Sequence, residues 1–168
     1  MRGVIWVITI YWGLCNTACL SETKPCVIFL TPLRQVTKIT DGDTFYVADS
    51  TQKGEKVRLI GIDAPESRSA FRKEAHPFGP EATRYLRKLV EGKKVYLEYD
   101  VRKKDQYNRT LAYVFLEDST FVNAEMIQNG YAILMTIPPN IKYANLFYQL
   151  QQQARTNKRG IWAYDLEE

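Results

Sequence analysis

The stretch of residues 57–66, VRLIGIDAPE, limits the folds open to this chain more than any other. Its apolar and β-branched residues predict a buried strand over residues 57–63, and Pro65 ends the strand because proline cannot donate to a ladder. Three charged residues interrupt the pattern: Arg58, Asp63 and Glu66. Because an unpaired charge is costly to bury, these side chains either face solvent or converge on a charged ligand. On this stretch alone, solvent is the safer interpretation.

The composition is that of one globular domain. The chain has 168 residues, enough for a substantial core and a short appendage. Apolar residues make up 45% and charged residues 25%, which is ordinary for a soluble protein. The formal net charge of +4 permits a polyanionic partner without requiring one.

The N-terminus predicts export. Arg2 supplies a positive charge, and the uncharged run of residues 3–14 has the length of a signal-peptide core and is short for a transmembrane helix. Small and polar residues follow as far as Ala18, where we expect cleavage. Residues 1–18 are therefore predicted to be a signal peptide, and the protein to be secreted or held in the cell envelope.

Cys19 keeps two alternatives to simple export open. As the first residue after cleavage it is a site for lipid attachment, although Asn16 stands where the lipoprotein motif has a Leu-like residue. Retention as an uncleaved membrane anchor is the third interpretation. Cys19 and Cys26 are also able to pair after export, whereas no CxxC motif or Cys/His pair offers a zinc site.

The rest of the chain divides into a linker and a folded domain. Residues 19–32 hold two prolines and predict an extension or linker, and residues 33–165 predict the domain. The first three β-patterned runs of that domain are short and separated by turn residues, which suggests an antiparallel meander closing into a barrel. The predicted strands cover residues 35–39, 44–48, 57–63, 94–100 and 111–116.

Three helices are predicted outside these strands. Pro80 lies in the first turn of the first helix and Gly92 follows its end. The second helix covers residues 123–129. Asn140 is predicted to cap the third, which extends to about Lys158.

Charged residues gather in three places at predicted turns and strand ends. These are residues 41–44 (DGDT), the charges of residues 58–66, and residues 105–109 (DQYNR). Each alone has an ordinary explanation as a turn, a loop cap or a surface ion pair of little consequence.

Taken together, these motifs resemble the thermonuclease family, that of staphylococcal nuclease. With FGPEA at residues 78–82 and the closing Ile-Trp, the resemblance extends in order from about Val36 to Trp162. It implies an α+β fold, a five-stranded OB-fold-type β-barrel with three α-helices. It also implies a Ca²⁺-dependent nuclease that hydrolyses DNA and RNA with little sequence specificity, by in-line attack of water. We expect a monomer with no protein partner, at a membrane only if Cys19 is lipidated or the N-terminal segment is uncleaved.

The resemblance also assigns roles to residues. Asp43 and Asp63 correspond to the carboxylates that bind the metal, and Ala64 to the residue that offers a backbone carbonyl. Oxygen ligands of this kind suit Ca²⁺.

The remaining assignments concern the substrate. Glu66 corresponds to the general base that orients or deprotonates the attacking water. Arg58 and Arg109 correspond to the pair that holds the phosphate, for which bidentate guanidinium groups are well suited. Tyr107 corresponds to a nucleotide-contacting tyrosine.

Two departures from the family concern the nucleotide pocket. Two tyrosines of the family have no counterpart near residues 135–137, and Gln106 replaces a lysine. We expect these changes to affect affinity and base preference more than the chemistry. The alternative function is a non-catalytic OB-fold module that binds single-stranded nucleic acid. Three acids at a polyanion site would repel phosphate, which favours the enzyme over this binding module.

Overall fold

The computed structural model describes residues 31–66 and 77–163. The predicted signal peptide, Cys19, Cys26, most of the predicted linker and the last two residues of the predicted domain lie outside these ranges, so those expectations remain predictions. Within the two ranges, no helix is both long enough and apolar enough to cross a membrane.

A closed barrel of five strands forms the body of the protein, in the order β1-β2-β3-β6-β5. Neighbouring strands are antiparallel except for β3 and β6, which are parallel, and the pairing of β1 with β5 closes the barrel. A separate two-stranded sheet pairs β4 with β7. The predicted barrel is confirmed. The strands are β1 (Arg34–Asp41), β2 (Thr44–Val47), β3 (Glu55–Leu59), β4 (Ile62–Asp63), β5 (Lys94–Glu98), β6 (Thr110–Leu116) and β7 (Ile133–Leu134).

Within the described ranges, three α-helices pack around the barrel, as predicted. They are α1 (Gly79–Val90), α2 (Val122–Gln128) and α3 (Ala144–Thr156), and a 3₁₀ turn covers Gly160–Ala163. Helix α1 has proline in its first turn and buries one stripe of residues at helical spacing against the core: Ala82, Leu86 and Val90. Apolar side chains from the barrel strands complete a continuous core with residues of α2 and α3.

The predicted strand over residues 57–63 is interrupted, and this is the main correction to the sequence-based fold. Strand β3 ends at Leu59, β4 begins at Ile62, and Gly61 between them has φ +79°. A Cβ atom at Gly61 would lie 2.7 Å from Cε2 of Phe147, so the turn requires glycine both for its backbone angle and for its space. The apolar run continues through the turn, which is why sequence patterning alone misses it.

This reversal changes where the charges of the strand point. Five residues along a straight strand span about 16 Å, and an odd separation places side chains on opposite faces. The turn instead brings the chain back, and Arg58 Nη2 donates to Asp63 Oδ1 at 2.7 Å. Arg58 and Asp63 are therefore able to pair because the chain turns between them.

Replacing Gly61 by alanine tests the requirement for this bend. Gly92 is the matched control, because its φ is +70° and no atom lies within 4 Å of the position that an added Cβ atom would take. We expect Gly92→Ala to lower the free energy of unfolding by about 1 kcal/mol, from backbone strain alone. Gly61→Ala should cost about 1–3 kcal/mol more, from overpacking against Phe147. Urea unfolding followed by circular dichroism measures both. Equal losses in the two variants would contradict the packing argument.

Candidate active site

Arg58 lies at the centre of the candidate site. It sits in β3 between two neighbouring strands, opposite Thr44 of β2 and Leu111 of β6. Its Nη1 forms an ion pair with Oδ2 of Asp43, and its Nη2 donates to Oδ1 of Asp63. One guanidinium group thus contacts two carboxylates that are distant in sequence.

The turn between β1 and β2 fixes Asp43. Its Oδ1 accepts a hydrogen bond from the Thr44 hydroxyl at 2.8 Å, and its Oδ2 accepts one from the Ala64 backbone N–H at 3.0 Å. A Cβ atom at Gly42 would lie 2.7 Å from Cβ of Ala64, so glycine lets this turn approach the chain after β4. Asp43 is only 4% exposed, and both of its carboxylate oxygens are bonded there.

The charge of Arg58 is stabilised where it lies. Burial works against the charged form of the guanidinium group, but the ion pairs with Asp43 and Asp63 outweigh it, and the pKa of Arg58 is raised. The side chains of these three residues are 14%, 5% and 18% exposed. Electrostatic interactions are stronger in such partly dehydrated surroundings than at the surface.

Arg109 is held by the loop that precedes β6. Oδ1 of Asp105 accepts hydrogen bonds from the backbone N–H groups of Tyr107 and Arg109, both at 2.9 Å. Its Oδ2 accepts a bond from Arg109 Nε at 2.6 Å, so the carboxylate fixes both the loop and the side chain. Burial alone would raise the pKa of Asp105, but these bonds to Arg109 and Tyr107 hold it below its ordinary value.

Arg58 and Arg109 both line a cleft of about 440 Å³. The parallel pairing of β3 with β6 places Arg58 beside Leu111, close to Arg109, which immediately precedes β6. Tyr107 lines the cleft, is 71% exposed, and has its ring centre 5.4 Å from Cζ of Arg109. Apolar residues also line the cleft, among them Met135, Ile137, Pro138 and Pro139.

Of the seven predicted site residues, the structure joins six into two adjacent groups. Asp43 and Asp63 pair with Arg58, and Ala64 donates its N–H to Asp43. Tyr107 and Arg109 line the same cleft as Arg58. The seventh residue, Glu66, is half-buried three positions after Asp63, at the end of the first described range.

The donor set around Asp43 and Asp63 suits a hard cation. Two carboxylates and a nearby main-chain carbonyl are oxygen ligands, which Ca²⁺ or Mg²⁺ takes in preference to the sulfur and imidazole ligands of zinc sites. In the described part of the chain, no cluster of three or more His, Cys, Asp or Glu residues occurs that could hold a metal. Ca²⁺ takes about six to eight oxygen ligands, so a cation bound by these two carboxylates would complete its coordination with main-chain oxygen and water.

Asn140 has a different role from the predicted helix cap. Helix α3 begins at Ala144 with Tyr143 before it, and no side chain caps the helix. The buried Asn140 side chain instead accepts a hydrogen bond from the Arg102 N–H and donates one to the Arg102 carbonyl, both at 2.8 Å. It thereby joins the Pro138–Pro139 wall to the loop before β6. This contact spans distant parts of the chain, so no local sequence signal predicts it.

Replacing Asp105 by asparagine tests how Arg109 is held. Asparagine can still accept the two backbone N–H bonds, so the variant removes mainly the ion pair. We expect the free energy of unfolding at neutral pH to fall by about 1 kcal/mol. Because the pKa of Asp105 is depressed on folding, its stabilisation is present above the ordinary value of 3.8 and is lost as pH falls through the lower folded value.

The difference between Asp105→Asn and the unmodified protein should therefore vanish in acid, as measured by urea unfolding over a pH series. Glu91→Gln is the control, because its ion pair with Arg87 is long, at 3.7 Å, and exposed. It should change stability by less than about 0.5 kcal/mol at any pH. A difference for Asp105→Asn that stays undiminished well below pH 3.8 would contradict the ion-pair explanation.

Comparison with known proteins agrees with the fold. The chain matches the family described as "Staphylococcal nuclease homologue" over residues 56–164. It is 39% identical to the "Thermonuclease" of Staphylococcus intermedius over 127 residues, 76% of this chain and 74% of that protein. It is 38% identical to the "Thermonuclease" of Staphylococcus hyicus over 129 residues, 77% and 75% of the two chains. An "Uncharacterized endonuclease" of Escherichia coli is 34% identical over 129 residues, 77% and 76% of the two chains. This protein belongs to the staphylococcal nuclease homologue family.

Proposed function

We propose that this protein is a Ca²⁺-dependent nuclease that hydrolyses DNA and RNA with little sequence preference, by attack of water on a phosphate held between Arg58 and Arg109. That it is a phosphodiester-hydrolysing nuclease follows from its family and from relatives named as thermonucleases and endonucleases. The metal, the range of substrates and the residue roles are our proposal. One observation carries them: two guanidinium groups line a single cleft, and one of them contacts two carboxylates.

The two arginines bind and stabilise the phosphate. A guanidinium group presents a planar fork of N–H donors that matches two phosphate oxygens. Asp105 fixes the Arg109 side chain, and strand β3 fixes Arg58, so the donors are arranged before the substrate enters. Donors preset for the charge that develops during the reaction lower its barrier without reorganisation.

Asp43, Asp63 and the Ala64 carbonyl would hold Ca²⁺ in this proposal. When bound, such a cation acts as a Lewis acid and helps to orient the phosphate. The ion pairs of Arg58 with both carboxylates support the arrangement, because they hold the two carboxylates next to one another. They also place the phosphate-binding guanidinium group next to the cation ligands.

Glu66 is assigned as the base that accepts a proton from the attacking water. It follows Asp63 by three residues and is half-buried, between bulk solvent and the core. A carboxylate at such a boundary can orient a water molecule and take its proton. This role rests on the family resemblance.

The cleft walls support low base specificity. Tyr107 offers an exposed ring on which any base can stack. The apolar wall formed by Met135 and Ile137 provides contact area without hydrogen-bonding groups that distinguish bases. The uncharged N-terminal run supports export of the protein, with lipid attachment at Cys19 as the alternative.

A nuclease assay on the purified full-length chain tests this proposal. We expect cleavage of single- and double-stranded DNA and of RNA with Ca²⁺, no cleavage with EGTA, and recovery when Ca²⁺ is restored. Asp63→Asn should raise the Ca²⁺ concentration needed for half-maximal activity, because one ligand charge is lost. Glu117→Gln, which removes a charge from an exposed position, is the matched control and should leave that concentration unchanged.

Two outcomes of this assay would contradict the proposal. Cleavage that is indifferent to EGTA would contradict the proposed Ca²⁺ dependence. Binding of single-stranded nucleic acid without cleavage under any of these conditions would favour the alternative, a non-catalytic OB-fold module.

A further inference from the structure

A third arginine, Arg102, lines the same cleft as Arg58 and Arg109. The other two guanidinium groups are both paired with carboxylates. Among the residues that the structure describes, the side chain of Arg102 has no ion pair or hydrogen bond, and the residue is exposed. An exposed arginine beside an anion-binding cleft and without a carboxylate partner keeps its full charge available to a ligand.

The backbone of Arg102 is fixed although its side chain is not. The buried Asn140 side chain bonds both the N–H and the carbonyl of Arg102, at 2.8 Å each. On the other side, the Leu111 N–H donates to the Lys103 carbonyl at 2.9 Å, which ties the following residue to β6. The backbone of Arg102 is therefore fixed, and only its side chain can adapt to a ligand.

We propose that Arg102 binds a second phosphate of the nucleic acid, next to the phosphate that is cleaved, and so makes the enzyme favour polynucleotides over substrates with a single phosphodiester. This inference rests on the proposed function and names its substrate class. A phosphate suits the site because a single-stranded polyanion that lies across the cleft presents repeated phosphates to its rim. Binding a further phosphate releases additional counterions, so it has a measurable salt dependence.

The test compares Arg102→Ala with the unmodified full-length chain on a single-stranded oligonucleotide and on a dinucleoside monophosphate. Losing a charge-assisted hydrogen bond should lower kcat/KM on the oligonucleotide about tenfold. The plot of log kcat/KM against log salt should become shallower by about 0.7, the value for one phosphate contact on a single strand. The dinucleoside monophosphate has no second phosphate, so its kcat/KM should stay unchanged. Arg102→Lys should recover part of the loss.

Lys103→Ala is the matched control. Lys103 is the next residue, carries the same charge, lies over the Tyr99 ring and does not line the cleft. It should affect oligonucleotide cleavage less than Arg102→Ala does. Equal effects of the two variants would overturn the proposal in favour of a general charge effect. Equal losses on both substrates would place Arg102 on the cleaved phosphate, and no loss on either would remove it from the substrate path.

Oligonucleotide binding in EGTA, measured by fluorescence anisotropy, separates this inference from the nuclease mechanism. If the unmodified protein cleaves neither substrate, the proposed function fails. The Arg102 contact is then judged by binding alone. Weaker binding by Arg102→Ala, with a salt slope shallower by about 0.7, supports the contact. Unchanged binding overturns it.

Discussion

The pairing of Arg58 with Asp43 and Asp63 is the interaction on which the rest of the site depends. Removing one member of a buried charged group typically costs about 3–5 kcal/mol, because its partners are left without a counterion. Loss of Arg58 would leave the carboxylates of Asp43 and Asp63 close together without their shared counterion. The guanidinium group therefore stabilises the two carboxylates, and in the proposed mechanism it also offers donors to a phosphate in the cleft.

The fold serves mainly to bring these charges together. Gly42 lets the first turn of the barrel approach Ala64, and Gly61 turns the chain so that Asp63 returns to Arg58. The parallel contact of β3 with β6 brings the start of β6, and with it the preceding Arg109, to the cleft that Arg58 lines. The two glycine turns and the strand pairing contribute no reactive group, but they fix where the charged side chains of the site lie. The barrel provides the rigid support that preset electrostatic interactions require.

Much of this can be predicted from the sequence, and the limits have physical causes. Strand and helix patterns predict which segments form strands and which form helices. The family resemblance predicts the barrel and the residues that form the site. The break at Gly61 escapes prediction because the apolar run continues through it, and a positive φ leaves no mark on hydrophobic periodicity. The predicted cap at Asn140 is wrong because asparagine is a common cap, while its actual partner Arg102 is distant in sequence. The catalytic and metal-binding roles remain predictions.

The central claim is that Arg58 and Arg109 act on one phosphate. A double-mutant cycle on kcat/KM, with Arg58→Ala, Arg109→Ala and the double variant in Ca²⁺, tests it most directly. If both groups bind the same phosphate, each single variant should lose about 10²–10³-fold, and the double variant should lose much less than the product of the two single losses. Losses that simply multiply would show that the two arginines act independently and would contradict the claim.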